Sequence, residues 1–219
     1  HKGMKGIIQE LKVLLKTKSI GTNSDRALLL DFQATLETKP EKAIKLEKDA
    51  LAQIENITAD NARLVSNLHA NLGGLYRMNG HPDLAREHME KSISLLDQFN
   101  LLHINDSIPQ IANYAMFLTE QQEPERGISE LQKLSGIIKE YHSDDCLDYA
   151  KVQETLGTIY LMTANLPQAK THFKRAFKIY EKIWADEPEM IEAKYQEIQE
   201  LYPQIGFCIG KNLSGLLTK

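Results

Sequence analysis

The chain has 219 residues and 42% hydrophobic content, which is enough for one sizeable core or one elongated array of repeats. Its net charge of −4 gives no compositional basis for binding nucleic acid. Cys146 and Cys208 match no disulfide or metal spacing, and no apolar run approaches the roughly 18 residues of a membrane span, so we expect a cytoplasmic protein without membrane insertion.

All predicted elements are helices. Residues 1–18, with five lysines and one glutamate, form an amphipathic helix that ends an incomplete leading repeat. Four helix–turn–helix units follow, and a trailing helix and cap come last, so we expect a single domain over 1–219. Because His-Lys-Gly precedes Met4, one interpretation is that the sequence is a piece cut from a longer protein, and whether it is stays open. The four units are 24–55, 59–99, 107–140 and 147–184, and the trailing segment is 188–219.

The prolines mark where each second helix begins. Pro40, Pro82 and Pro124 are 42 residues apart, and Pro167 misses the next step by one. Proline is tolerated in the first helical turn, where its missing N–H would have no intrahelical partner. First helices are therefore predicted at about 24–37, 59–78, 107–121 and 147–163, and second helices at about 40–55, 82–99, 124–140 and 167–184.

Helix capping is predicted from local pairs. Thr38 with Glu41 and Ser107 with Gln110 have the spacing of capping boxes. Asp144 and Asp145 precede a first helix and are expected to cap it.

Small residues recur where paired helices would touch. A longer side chain at such a position would separate the two helices. We therefore expect Gly157 to be buried and Gly157→Leu to be among the most damaging single changes. The small residues are Gly73, Ala85, Ala115, Gly157 and Ala169.

The two best-preserved segments are "NLHANLGGLYRMNGHPDLAREHMEKSIS" around Gly73 and "VQETLGTIYLMTANLPQAKTHFKRAFKIY" around Gly157. Their Leu-Gly, Tyr, Ala and bulky apolar order resembles the tetratricopeptide repeat (TPR). The 42-residue period resembles the kinesin-light-chain-like subclass. This resemblance implies a right-handed α-solenoid of stacked antiparallel helix pairs, with about four full repeats and flanking helices.

In the resembling family, one face of each first helix lines a concave groove where ligands usually bind. An Asn at the place of Asn71 and Asn113 commonly bonds a bound peptide's backbone, since an amide both donates and accepts. The alternative is that these amides bond neighbouring helices. The resemblance thus places the partner-binding residues at Asn67, Asn71, Arg77, Met78, Asn113, Met116, Lys151, Glu154 and Thr158.

Methionines on that face, Met78, Met116 and Met162, provide either an adaptable floor for a partner or ordinary core packing. Arg77 and Lys151 are offset by Glu120 and Glu154, so the groove is not strongly cationic.

The leading hypothesis is a protein–protein interaction module that binds a peptide or an extended partner segment. The alternative is a regulatory or sensor domain of a larger signalling or transcription-regulating protein, and self-association is left open. No catalytic motif or phosphate loop is present, and the seven histidines are interpreted as surface or turn residues, so we expect no enzyme, cofactor or metal.

Overall fold

The computed structural model describes residues 21–201 and the single positions Gly6, Glu10, Val13 and Pro203. Between residues 21 and 201 the chain forms nine α-helices and no strand, which confirms the all-α class. Apart from these single positions, the predicted leading helix and terminal cap lie outside the described residues. The helices are α1 Asn23–Thr35, α2 Pro40–Leu51, α3 Ala62–Met78, α4 Pro82–Gln98, α5 Ser107–Glu120, α6 Pro124–Tyr141, α7 Leu147–Met162, α8 Leu166–Ile183 and α9 Pro188–Leu201.

The chain divides into two compact units, with the division between Gln110 and Ile111. In the first unit α1 packs on α2, α2 on α3, and α3 on α4. In the second unit α6 packs on α7, α7 on α8, and α8 on α9. None of the described helices is long and apolar enough to cross a bilayer.

Prolines begin the second helices as predicted. Pro40, Pro82 and Pro124 are the first residues of α2, α4 and α6. Pro167 is the second residue of α8, because this helix begins at Leu166. The one-residue offset in the repeat therefore leaves proline within the first turn, where no backbone donor is needed.

Four helices end in the same type of turn. A residue with positive φ follows each helix, and the next N–H donates to the carbonyl five residues earlier, as in a Schellman motif. The bond from His81 to Tyr76 is 3.0 Å, and that from Asn165 to Tyr160 is 2.7 Å. Glycine occupies the left-handed position at only one of the four turns. The left-handed residues are Gly80 (φ 73°), Asn100 (54°), Gln122 (65°) and Ala164 (58°).

Paired helices approach closely at the small residues. A Cβ added at Gly127 would lie 2.6 Å from the backbone oxygen of Ala115. At Gly73 it would lie 2.6 Å from Met89 Cγ, and at Gly157 it would lie 2.9 Å from the Phe173 ring. Gly157 is buried, as expected. Gly127 is the more restrictive site, because its neighbour is backbone and cannot rotate away.

The predicted capping boxes are wrong. Lys39, not Thr38, is the N-cap of α2, and it makes no side-chain cap bond. Ser107 Oγ instead donates to the carbonyls of Leu102 and Ile104, at 2.6 and 2.7 Å. A reciprocal capping box is found at α1, between Thr22 and Asp25.

The predicted cap of α7 is wrong as well. Cys146 is its N-cap, and the sulfur accepts from the N–H of Tyr149 at 3.4 Å. Asp145 forms an ion pair with Lys182. An exposed carboxylate gains from a nearby ammonium as well as from a helix N-terminus, so the sequence alone does not select between them.

Two glycines of α6 provide a matched test of the close approach. Gly127→Ala should lower the free energy of unfolding by about 1–3 kcal/mol, because the new methyl group meets the Ala115 backbone. A Cβ added at Gly136 would meet nothing within 4 Å. Gly136→Ala should therefore raise the free energy of unfolding by about 0.5–1 kcal/mol. Urea unfolding followed by circular dichroism measures both, and equal effects would contradict the packing argument.

The turn after α7 provides a second test. Ala164 has φ 58°, and a left-handed conformation costs a residue with a Cβ roughly 1–2 kcal/mol. Ala164→Gly should therefore raise the free energy of unfolding by about 0.5–1 kcal/mol after the added backbone entropy of glycine is counted. Thermal melting would show the gain, and a lower melting temperature would argue against strain at this turn.

Candidate functional site

The structure places all nine predicted binding residues on first helices. Four lie on α3 in the first unit, and five lie on α5 and α7 in the second unit. Their surroundings differ strongly, and this separates residues that hold the fold from residues that remain open to a partner. The α3 set is Asn67, Asn71, Arg77 and Met78, the α5 set is Asn113 and Met116, and the α7 set is Lys151, Glu154 and Thr158.

Asn71 connects three helices. Its Nδ2 donates to Asp31 Oδ1 on α1 at 2.8 Å and to Glu47 Oε1 on α2 at 3.2 Å. Both amide hydrogens are therefore used, although the residue itself is exposed. The alternative interpretation is that the amide of Asn71 bonds neighbouring helices, and this is what its Nδ2 group does. Only its oxygen remains for a ligand.

The two carboxyl groups beside Asn71 form a buried acidic pair. Glu47 is only 2% exposed. Burial, and then the charge of Asp31, raise the pKa of Glu47 to about 8. Burial also raises the pKa of Asp31. Removing both from water as anions is unfavourable, so the pair retains one proton near neutral pH.

Asn67 belongs to a second polar cluster. Its Oδ1 accepts from Gln110 Nε2 at 2.6 Å, and its Nδ2 donates to Asp106 at 3.3 Å. Gln110 Oε1 also accepts from the buried hydroxyls of Ser66 and Ser92, at 2.8 and 2.5 Å. Gln110 thus holds the start of α5 against α3 and α4 and does not cap its own helix. The side chain of Asn67 is used within the fold.

In the second unit, Glu154 fixes the wall of a pocket. Its Oε2 accepts from the hydroxyl of Tyr180 on α8 at 2.6 Å, and its Oε1 lies 3.0 Å from Lys194 Nζ on α9. Burial and then the Glu154 charge raise the pKa of Tyr180, so the hydroxyl stays a donor. Both Glu154 oxygens are therefore occupied by these contacts.

Beside this contact lies a cavity of about 290 Å³, which we name the α7–α9 pocket. Among the predicted residues, Lys151 is part of its lining. Sequence reasoning missed the α8 and α9 residues, although a single tryptophan next to an interrupted helix is a visible signal. The pocket is lined by Leu147, Lys151, Tyr180, Trp184, Met190, Ala193, Lys194 and Glu197.

The remaining predicted residues are more open. Asn113 is exposed on α5, and within the described residues its amide makes no hydrogen bond. Met78 is 82% exposed, so it is not core. Met116 and Thr158 are half-buried. The open residues thus offer an amide, a thioether and a hydroxyl to a partner.

Histidines make a recurring contact between paired helices. His69 Nδ1 lies 2.9 Å from His88 Nδ1, and the His88 ring stacks on Tyr76. Burial, and then the neighbouring His88, lower the pKa of His69 to about 4, so this ring is uncharged at neutral pH. Burial also lowers the pKa of His88. The expectation of surface or turn histidines is wrong for His69 and His88, which are half-buried. No group of three or more metal-binding side chains occurs in the described part of the chain.

The acidic pair predicts a pH-dependent stability. Between pH 4.5 and 8 the folded chain holds a proton on Glu47 that the unfolded chain has lost, so the free energy of unfolding should fall as pH rises. The free energy of unfolding should fall by ~1.4 kcal/mol for each unit by which the pKa of Glu47 in the folded chain exceeds that in the unfolded chain. Glu47→Gln should flatten this dependence in urea unfolding at pH 5–8.

Asp49→Asn on the exposed face of the same helix is the control, and it should keep the wild-type slope. Equal slopes for wild type and Glu47→Gln would show that Glu47 ionises normally in the fold.

Comparison with known proteins finds a family match in one part of the chain. Residues 107–182 match the family model of the tetratricopeptide repeat. No curated protein sequence matches the chain. BtubC (BKLC) from P. vanneervenii is similar in structure, with a TM-score of 0.70 and 18% identity over 94% of this chain and 82% of that one.

Two further solved structures share the fold. The nearly identical TPR-like repeats of a kinesin light chain-type protein from Podosopora anserina have a TM-score of 0.64 and 13% identity, over 82% of this chain and 88% of theirs. MamA has a TM-score of 0.57 and 16% identity, over 83% of this chain and 91% of that one. At such identities the likeness shows the fold alone, and the subclass stays a prediction. The chain thus shares the all-α fold of these TPR-like structures, and its residues 107–182 match the tetratricopeptide-repeat family.

Proposed function

We propose that this chain binds an extended peptide segment of a partner protein along its first helices. The observation that carries the proposal is the exposed amide of Asn113 on α5. Asn113 stands 42 residues after Asn71, at the same place in its repeat. The Asn71 donors are used by Asp31 and Glu47, whereas Asn113 keeps both a donor and an acceptor for a peptide backbone.

Backbone capture suits a module that accepts varied sequences. Paired hydrogen bonds to a peptide group supply affinity, and side-chain pockets along the same face supply selectivity. Met116 and Thr158 are half-buried, and Lys151 is more exposed, so all three are open to such contacts. The predicted concave groove is thus proposed mainly on α5 and α7. A sensor role inside a larger regulatory protein stays a prediction.

Three predicted residues have another role in this proposal. Asn67, Asn71 and Glu154 hold neighbouring helices through their hydrogen bonds and ion pairs. Their replacement should change stability before it changes recognition, because each would leave a partner group unsatisfied.

The test begins with selection of binding peptides from a random ten-residue display library on the immobilised chain. Selected peptides are then measured by fluorescence anisotropy against wild type, Asn113→Ala and Gln132→Ala. Asn113→Ala should weaken binding about five- to tenfold, since a net hydrogen bond is worth ~1 kcal/mol. Its melting temperature should stay near that of wild type.

Gln132→Ala is the matched control, because Gln132 is an exposed amide on the second helix α6. It should bind as wild type does. Failure to select any peptide, or an equal loss in the two variants, would contradict binding along the first helices.

A further inference from the structure

The α7–α9 pocket has an aromatic wall. The rings of Tyr180 and Trp184 stack with centroids 4.9 Å apart and planes at 13°. The Tyr180 hydroxyl donates to Glu154, and this hydrogen bond holds the ring on which Trp184 stacks. Met190 stands on α9 beside the pocket and is 43% exposed. An apolar surface held rigidly in this way loses little entropy when it receives a guest.

The charged groups at the pocket are already paired. Lys194 lies 3.0 Å from Glu154 and 3.1 Å from Glu197. Lys151 lies 3.6 Å from Asp148. A charged guest would have to compete with one of these pairs and repel the other member. An uncharged guest leaves every pair intact, so charge complementarity favours an apolar side chain.

The size of the pocket limits the guest to one side chain. A cavity of about 290 Å³ is at the lower end of small-molecule sites, which hold several chemical groups. It is large enough for a leucine, methionine or phenylalanine side chain. Interfaces often depend on one such anchor in a desolvated pocket with a polar rim.

We propose that the α7–α9 pocket anchors one large uncharged apolar side chain of a partner peptide. The guest packs on Trp184 and Met190, and the paired charges of Lys194 and Lys151 form the polar rim. This inference rests on the proposed function, because it names the residue class by which a bound peptide is selected.

The first experiment uses blocked amino acids as probes. N-acetyl-phenylalaninamide and N-acetyl-leucinamide are titrated into the ¹⁵N-labelled chain, with the α-amide of N-acetyl-aspartic acid (free side-chain carboxylate) and N-acetyl-argininamide as charged counterparts. The chain has one tryptophan, so the single indole N–H resonance reports on Trp184. The apolar probes should shift it saturably at millimolar concentration, and the charged probes should not.

The second part of this experiment compares a variant that fills the pocket with a matched variant that does not. Ala193 is exposed and lines the pocket, so Ala193→Phe should fill the cavity without disturbing the helix. Gln196→Phe places the same side chain on α9 outside the lining. The shift should be lost in Ala193→Phe and kept in Gln196→Phe, while circular dichroism of both matches wild type. An indole unmoved by the apolar probes, or moved equally by charged probes, overturns the proposal.

The second experiment uses peptides selected on the wild-type chain. Replacing their single large apolar residue by serine should weaken binding at least tenfold in wild type and little in Ala193→Phe. Equal binding of the selected peptides to both proteins would overturn the anchor and leave peptide binding standing. Probe binding without any selectable peptide would overturn the proposed function, and of this inference it would leave only the preference of the pocket for apolar side chains.

Discussion

The close approach of paired helices is the constraint on which the fold depends. At Gly127 the facing backbone of Ala115 leaves no room for a methyl group, and a Cβ added at Gly73 or Gly157 would come similarly close to a methionine or an aromatic ring. Helices this close exclude water between them, so the remaining side chains of each first helix are left for other contacts. The proline starts and the left-handed turns serve the same end, because they return the chain directly onto the preceding helix.

Features that depend on a few consecutive residues could be read from the sequence. The helices, the proline starts and the burial of Gly157 are of this kind, because period, proline geometry and side-chain size act locally. The contacts of Asn71 and Gln110 could not be read. Their partners come from other helices, at Asp31 and Glu47 in one case and at Ser66 and Ser92 in the other, and no local pattern records them. For the same reason the α8 and α9 side of the pocket was not anticipated.

Equivalent positions of the repeats keep geometry while their chemistry changes. Tyr160 stacks on His172 as Tyr76 stacks on His88. The partner of His172 is Gln153 Oε1 at 2.9 Å, where the first unit has His69. Any group that accepts or donates at this spacing satisfies the half-buried ring nitrogen. A repeat can therefore diverge in polarity without losing its packing, and this freedom permits the first helices to differ in what they offer a partner.

The stacked Trp184 has a consequence for how unfolding of this chain is observed. Because tryptophan emission depends on its immediate surroundings, fluorescence follows the loss of the α8 and α9 environment and is silent about residues 21–110. Far-ultraviolet circular dichroism instead averages over all helices. If the two signals changed at different denaturant concentrations, the two units would be unfolding separately. Coincident transitions would mean that the units unfold together.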